Sequence, residues 1–479
     1  MTDVYEIRRK SIAGVFGYAL RTIFLQIIGL VATALLGYYL NPEEFGIYFI
    51  VTAVVGLFTF LSDIGLAAAL VQKKDEPTTD DLRTTFTVQQ GLAVLIFVVV
   101  VALTPLWKTQ HGLGQEGIWL LYALAFSFLL ASLKTIPSIL LERRLEFNKL
   151  VLPQIFENLV FYATTVILAA QGFGVRSYTV AVLLRGVVGI IVMYFLQRWQ
   201  IGFAFSRTSF RALLKFGAKF QLNDLLARLK DDLFIVVLAR FIPAAEMGYI
   251  SWAKRWSMYP YQVSVNSVMA VTFPTYSRLQ EHKEILKRAI EKSLFFIALV
   301  IFPVLAGMSI TAMPLLEMIP RYIKWAPALP SLYFFSVNIA WAAISTPLTN
   351  TLNAIGKIDS TLKLMVMWTA LTWTLTPVAI ILFGFTGVAL ASAVIACSSV
   401  VTVYMVKKYV PIEVLPQVWR QTVASLVLLV VAYGVQRSTT PGIPSFIAQI
   451  IFGSIAYITT LAAVGYSVVM REVRSVLHR

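Results

Sequence analysis

The stretch FGIYFIVTAVVGLFTFLSDIGLAAALVQKKD, residues 45–75, runs 27 residues to Val71 with a single charge, Asp63, and then meets two adjacent lysines. A bilayer crossing needs roughly 20 mostly apolar residues, so residues 45–71 read as a membrane span with a carboxylate inside it. Asp63 lies ten residues from Lys73. In a continuous helix that is roughly 15 Å along the axis, too far for a short aspartate to reach the interface. A buried carboxylate is the first problem the sequence poses.

The same pattern recurs along the chain. Of 479 residues, 58% are hydrophobic and 13% charged, and the mean hydropathy is +0.77. A soluble protein of this length needs a polar exterior, which this composition cannot supply. We count about 14 spans, near 11–40, 45–71, 84–107, 117–141, 150–171, 175–197, 216–241, 247–271, 293–314, 327–353, 362–383, 386–406, 421–437 and 445–470. The expected fold class is an all-α polytopic membrane protein. MTDVYEIRRK leads into a run too long for a signal-peptide core, so the first span is expected to be retained.

Loop charge tests the count. An even number of spans puts both termini on one side, and that side carries about 26 lysines and arginines against about 5 on the other. The positive-inside rule makes it cytoplasmic. The net charge of +16 is then accounted for by basic loops, and no nucleic-acid partner is expected. Three histidines and the single Cys397 leave no disulfide framework and no metal cluster. There is no Gly-rich phosphate loop and no histidine-based catalytic pair, so neither an enzyme nor a cofactor is expected. The basic stretches 198–215 and 276–293 are expected to lie on the cytoplasmic face as amphipathic helices.

Two tight outer turns resemble each other. LNPEEFGIY at 40–48 and IPAAEMGYI at 242–250 place Glu44 and Gly46 on Glu246 and Gly248. Six spans separate the copies, which implies parallel repeats, a transporter architecture. The match is short, and Gly and Glu in a turn also coincide by chance.

Ionisable groups at bilayer depth cost about 2.5–3.5 kcal/mol each on insertion scales and belong in a polar interior or beside a partner. Besides Asp63, the spans contain Arg21, Glu157, Arg185, Asp224, Arg228, Asp231, Asp232, Lys254 and Arg255. Lys134 is near enough to its end to snorkel. In the seventh span Gln221, Asp224, Arg228, Asp231 and Asp232 share one helical stripe. Internal ion pairs between helices account for such residues as well as a transport cavity does, most readily for the i,i+4 set Asp224, Arg228 and Asp232. The alternative is a wet chamber in which Arg21, Arg185, Arg228, Lys254 and Arg255 bind an acidic substrate. Asp63, Glu157, Asp224, Asp231 and Asp232 would then couple an ion or balance charge.

LNPEEFGIYFI, LSDIGLAAALVQKKD, LLERRLEFNKL, FRALLKFGAKF, PYQVSVNSVMAVTFPTYSRLQ and NAIGK resemble Wzx-type polysaccharide flippases of the MOP (multidrug/oligosaccharidyl-lipid/polysaccharide) exporter superfamily, in the lipopolysaccharide biosynthesis branch. The resemblance covers about residues 5–410. It implies two six-helix lobes around a central cavity plus two C-terminal helices: 1–200, a linker at 201–215, 216–410, and 411–479. It also implies a polyprenyl-pyrophosphate-linked oligosaccharide moved across the inner membrane by alternating access, with a coupling proton or sodium ion as candidate partner. Asp63 falls in the family motif after span two, and Arg228 and Asp231 match an Arg-x-x-Asp pattern. The family's YSRA is ISWA here, with Trp252 in place of Arg and Lys254 and Arg255 nearby. A multidrug exporter of the same superfamily and a membrane-embedded glycan polymerase or ligase are the rival readings. The first wants an acidic, aromatic cavity, and the second wants large outer loops.

Overall fold

The computed structural model describes residues 24–59, 62–73, 75–111, 113–144 and 146–477; side chains at 109–111, 216–231, 266–267, 270–271, 273–274 and 466–477 are not described. Every regular element in that set is helical. In chain order they are α1 (Phe24–Tyr39), α2 (Pro42–Thr59), α3 (Leu66–Gln72), α4 (Thr79–Ala102), α5 (Thr104–His111), α6 (Gln115–Arg143), α7 (Phe147–Ala170), α8 (Arg176–Leu196) and α9 (Arg207–Leu238). Then follow α10 (Ala244–Arg278), α11 (Lys283–Met318), a 3-10 segment at Pro320–Ala328, α12 (Leu329–Ala354), α13 (Ile358–Phe383), α14 (Thr386–Cys397), α15 (Val400–Lys407), α16 (Leu415–Ser438) and α17 (Ile443–Leu477).

Among the described residues, 11 helices are long and apolar enough to cross a membrane. The three other expected spans coincide with α1, α9 and α10, so a count of 14 is compatible. The chain is a multi-pass membrane protein.

The second span departs from its expected form. It is broken: α2 stops at Thr59, the chain turns through Ile64 (φ 46°) and Gly65 (φ 79°), and α3 starts at Leu66. Asp63 therefore heads a new helix. Its Oδ1 accepts the Ala67 N–H at 3.1 Å, satisfying one of the donors that a helix start leaves unpaired. The other end of α3 is held by Arg143, which donates to the carbonyls of Leu70 (2.7 Å), Lys73 (2.6 Å) and Asp75 (2.9 Å). A basic side chain on the last carbonyls of a helix also suits its dipole. Lys73 pairs with Asp81 at 2.5 Å, ahead of the apolar run of span three. Burial alone would push the Asp81 carboxyl up, but bonds from Lys73, Thr78 and Ser209 hold it at about 2.

Segment 198–215 is not one amphipathic helix. Residues 198–206 have no helical structure, and α9 begins at Arg207. Thr84 and Thr87 on α4 explain this: their hydroxyls accept the N–H groups of Ser206 (2.9 Å) and Ala204 (3.1 Å), bonds that a helix would use internally. Segment 276–293 is not a separate surface helix: it holds the end of α10, a turn at 279–282 and the first turns of α11. Pro42 is the first residue of α2, where a missing N–H costs nothing.

Contacts divide the chain into two units, Met1–Gly248 and Tyr249–Arg479. In the first, α4, α6, α7 and α8 pack in succession, and α9 lies against α2, α3 and α4. Leu66, Leu70, Phe86, Ile136, Ile139 and Leu213 form a core there. The two resembling turns meet in this unit. A Cβ on Gly46 would overlap the Ala244 carbonyl oxygen, and one on Gly248 would overlap that of Pro42. Pro42 and Ala244 are equivalent positions in the two turns, so the contact is reciprocal. Glycine at both places lets backbone approach backbone.

The second unit is built on α11 and α12. Val265, Ile297, Ile301, Leu305 and Ile339 form one core. A second surrounds Tyr276, Leu294, Leu348 and Val406. The last two spans dock on α11 through Ala424, Leu428, Tyr457 and Leu461 against Ala306, and the Tyr457 hydroxyl donates to the Leu299 carbonyl at 2.9 Å.

Candidate functional site

Three neighbouring helices of the first unit bring ionisable groups together at span depth. Glu157 on α7 is 8% exposed. One carboxylate oxygen, Oε1, accepts a short bond from Lys134 Nζ on α6. The other, Oε2, lies 3.6 Å from Arg185 Nε on α8. Helices at this spacing need a small residue to admit a carboxylate. Gly189, one turn beyond Arg185, supplies it, because a Cβ there would strike Glu157. Arg185 also lies over the Phe161 ring at 5.8 Å, a cation–π distance. Phe161 is near Tyr178, which stacks on Tyr48 at 4.1 Å.

Lys134 does not snorkel to its end of the span. An ammonium inside an apolar helix is stabilised more by a carboxylate on the next helix than by a stretched path to water. Arg185 has no acid three or four residues away in sequence, and its partner comes from another helix instead. The cluster holds two cations and one anion. The Lys134 side chain is 16% exposed and that of Arg185 is 45% exposed, so the surplus positive charge is carried by the accessible guanidinium.

Asp63 belongs to a different network. Besides capping α3, its Oδ1 accepts a short bond from the Gln89 amide on α4. Gln89 is 1% exposed, and its own Oε1 has no hydrogen-bond partner. Asp232 on α9 faces α2 at Gly56, where a Cβ would come within 2.7 Å of Oδ2. Arg21 lies outside the described residues. Asp224, Arg228 and Asp231 are on the helical backbone of α9, but their side chains lie outside the described set.

In the second unit Lys254 is exposed and Arg255 half-buried on α10. Trp252 occupies the position where the family pattern has Arg. It is 4% exposed and stacks on Trp325 at 5.3 Å with 9° between the planes. Trp256 lies 6.0 Å from it. The substitution turns that point of α10 into aromatic core, the kind of site where a large flat side chain contributes most by burial.

Sequence reasoning assigned Lys134 to the interface and missed Gln89. Each had a weak signal. Lys134 sits among Ser132, Thr135 and Ser138 in an otherwise apolar span, and Gln89 continues a four-residue spacing from Asp81 and Thr85.

Residues 35–330 match the family model described as polysaccharide biosynthesis protein. The lipopolysaccharide biosynthesis protein WzxC of Escherichia coli K12 is 24% identical over 369 residues, covering 76% of this chain and 74% of its own. The teichuronic acid biosynthesis protein TuaB of Bacillus subtilis is 25% identical over 74% of this chain and 73% of its own. Among solved structures, the lipid II flippase MurJ in an inward closed conformation superposes with a TM-score of 0.77, covering 95% of this chain and all of that one at 16% identity. With the helical architecture and the motifs of the first two spans, the match of residues 35–330, more than half of its length, makes this chain a member of the polysaccharide biosynthesis protein family.

Proposed function

We propose that the protein is a flippase that moves a polyprenyl-pyrophosphate-linked oligosaccharide from the cytoplasmic to the outer leaflet of the inner membrane, for surface polysaccharide assembly. The observation that carries this reading is the Lys134–Glu157–Arg185 cluster. A guanidinium at span depth cannot face lipid without a cost of several kcal/mol. A half-exposed one therefore marks a wet face. Glu157 is engaged by Lys134 at close range, so Arg185 is the group left to meet a substrate phosphate through paired N–H donors.

The glycan and pyrophosphate would travel along that wet face while the prenyl tail stays in lipid. Arg21, Arg228, Lys254 and Arg255 would extend the cationic path. Asp63, Asp224, Asp231 and Asp232 would balance charge or carry the coupling proton or sodium ion, and the protein would act by alternating access without chemistry of its own. Both termini are cytoplasmic in this reading, from the distribution of loop charge. An organic-cation exporter would place carboxylates where this cluster exposes a guanidinium.

The test is a deletion strain complemented with wild type or Arg185→Gln. A flippase predicts accumulation of unflipped lipid-linked intermediate in the deletion, cured by wild type and not by the variant. Normal lipid-linked pools in the deletion would refute the reading.

A further inference from the structure

The strap between α8 and α9 has a chemistry that transport does not require. From Gln197 to Lys215 there are four basic residues, Arg198, Arg207, Arg211 and Lys215, and no acid. Along residues 201–206 exposed and half-buried side chains alternate, as they do where successive side chains point to opposite faces. Gly202, Ala204 and Ser206 turn toward α4, where the threonine hydroxyls hold the strap and a Cβ on Gly202 would meet Arg83 Nε at 2.6 Å. Ile201, Phe203 and Phe205 are exposed, Phe203 at 70% and Phe205 at 60%, although the Phe203 ring also lies 5.4 Å from Phe86 on α4. These residues lie beyond the end of α8 at Leu196, so crossing the bilayer does not account for them.

An open trough of about 570 Å³ adjoins that row, lined by Tyr194, Arg198, Trp199 and Gln200. Its walls are held: the Tyr194 hydroxyl donates to the Leu133 carbonyl at 3.0 Å, Trp199 meets Phe86 edge-on at 5.0 Å, and Arg144 Nη1 donates to Gln197 Oε1 at 3.2 Å. Arg198 is exposed. Of the two acids in the first turn of α4, Asp81 is already paired with Lys73 and Asp80 is exposed, against the four basic residues of the strap and the start of α9.

We propose that this strap binds an anionic phospholipid. The headgroup phosphate sits in the trough against Arg198, with Trp199 and Tyr194 at the interfacial level, and the acyl chains lie along Ile201, Phe203 and Phe205. An aromatic and basic border beside an apolar row is the pattern of an interfacial anchor. Assigning the lipid to the cytoplasmic leaflet rests on the orientation proposed above; the binding itself does not. A lipid fixed to the strap ties the start of α9 to the membrane surface, so transport would respond to the anionic lipid content of that leaflet.

The experiment uses the purified full-length protein in detergent, titrated with fluorescent short-chain phosphatidylglycerol and, separately, phosphatidylcholine. Wild type is expected to prefer phosphatidylglycerol. Each arginine near a charged lipid surface is worth about a fivefold change in affinity, so Arg198→Gln with Arg207→Gln should weaken phosphatidylglycerol binding about 25-fold and leave phosphatidylcholine unchanged. Arg198→Lys, which keeps the charge, should retain most of the preference and controls for folding. Equal binding of both lipids by wild type, or an unchanged preference in the double variant, overturns the proposal. Glycerol 1-phosphate should fail to displace the lipid at equal concentration. Displacement by it would make the site one for a free phosphate. Stronger displacement by undecaprenyl pyrophosphate than by phosphatidylglycerol would make the strap a substrate port and overturn the assignment to phospholipid. None of these readouts involves transport, so failure here is separable from failure of the flippase reading.

Discussion

Replacing Glu157 with Gln separates what the buried cluster does for stability from what it does for transport. Glu157 is 8% exposed and touches two cations. Removing its charge leaves Lys134 and Arg185 facing each other in a span with no acid between them. Breaking a buried pair by deleting one partner costs about 3–5 kcal/mol, most of it the uncompensated charge that remains. Arg185→Gln is a different perturbation. Its side chain is 45% exposed and 3.6 Å from the carboxylate; on the wet face proposed above, solvent screens the contact and its loss costs about 0–1 kcal/mol. The variant keeps the tight Lys134–Glu157 bond. Glu157→Gln should therefore lower the midpoint of denaturant or thermal unfolding in detergent by a large margin, whereas Arg185→Gln should leave it nearly unchanged and still abolish polysaccharide export. Adding Lys134→Met to Glu157→Gln should recover much of the lost stability, a coupling that a double-mutant cycle reads directly. If Arg185→Gln exports normally, or destabilises as much as Glu157→Gln, then Arg185 is a structural partner and the argument from its exposure fails.

Asp63→Asn keeps an acceptor for the Ala67 N–H and the Gln89 amide, so thermal stability should change by less than about 1 kcal/mol. Loss of export at unchanged protein level would assign the charge to coupling, and normal export would leave Asp63 as a cap. Gly46→Ala drives a methyl into the Ala244 carbonyl. Backbone cannot yield as a side-chain tip does, so overpacking of about 1–3 kcal/mol or more is expected, read as lower folded yield and a lower unfolding midpoint; wild-type stability would show that the turns separate freely. The depressed Asp81 carboxyl, at about 2, contributes stability that is present above the ordinary aspartate range and is lost as pH falls from about 4 toward 2. Discounted for solvent screening, this is about 1–2 kcal/mol. The stability gap between wild type and Asp81→Asn should close over that window, and a gap constant from pH 6 to pH 2 would contradict it.

Much was legible in the sequence, and for a plain reason. Lipid imposes length and polarity on each segment separately, so runs such as 84–107 and 175–197 declare themselves without knowledge of their neighbours. The likeness of the turns at 40–48 and 242–250 was visible in the sequence, but their contact, Gly46 against Ala244 and Gly248 against Pro42, came only from the fold. What no one-dimensional reading could supply was pairing between helices. Lys134 and Glu157 are 23 residues apart and Glu157 and Arg185 are 28 apart; only the packing of α6, α7 and α8 decides that one carboxylate serves both cations. The break at Asp63 was hidden for a related reason. Its signal, a lone Asp-Ile-Gly in an apolar run, acquires meaning only when Gln89 from α4 and Arg143 from α6 arrive to hold the two ends of the short helix that follows. Hydropathy is a property of a segment, whereas the partner of a buried charge is a property of the neighbours that the fold places beside it.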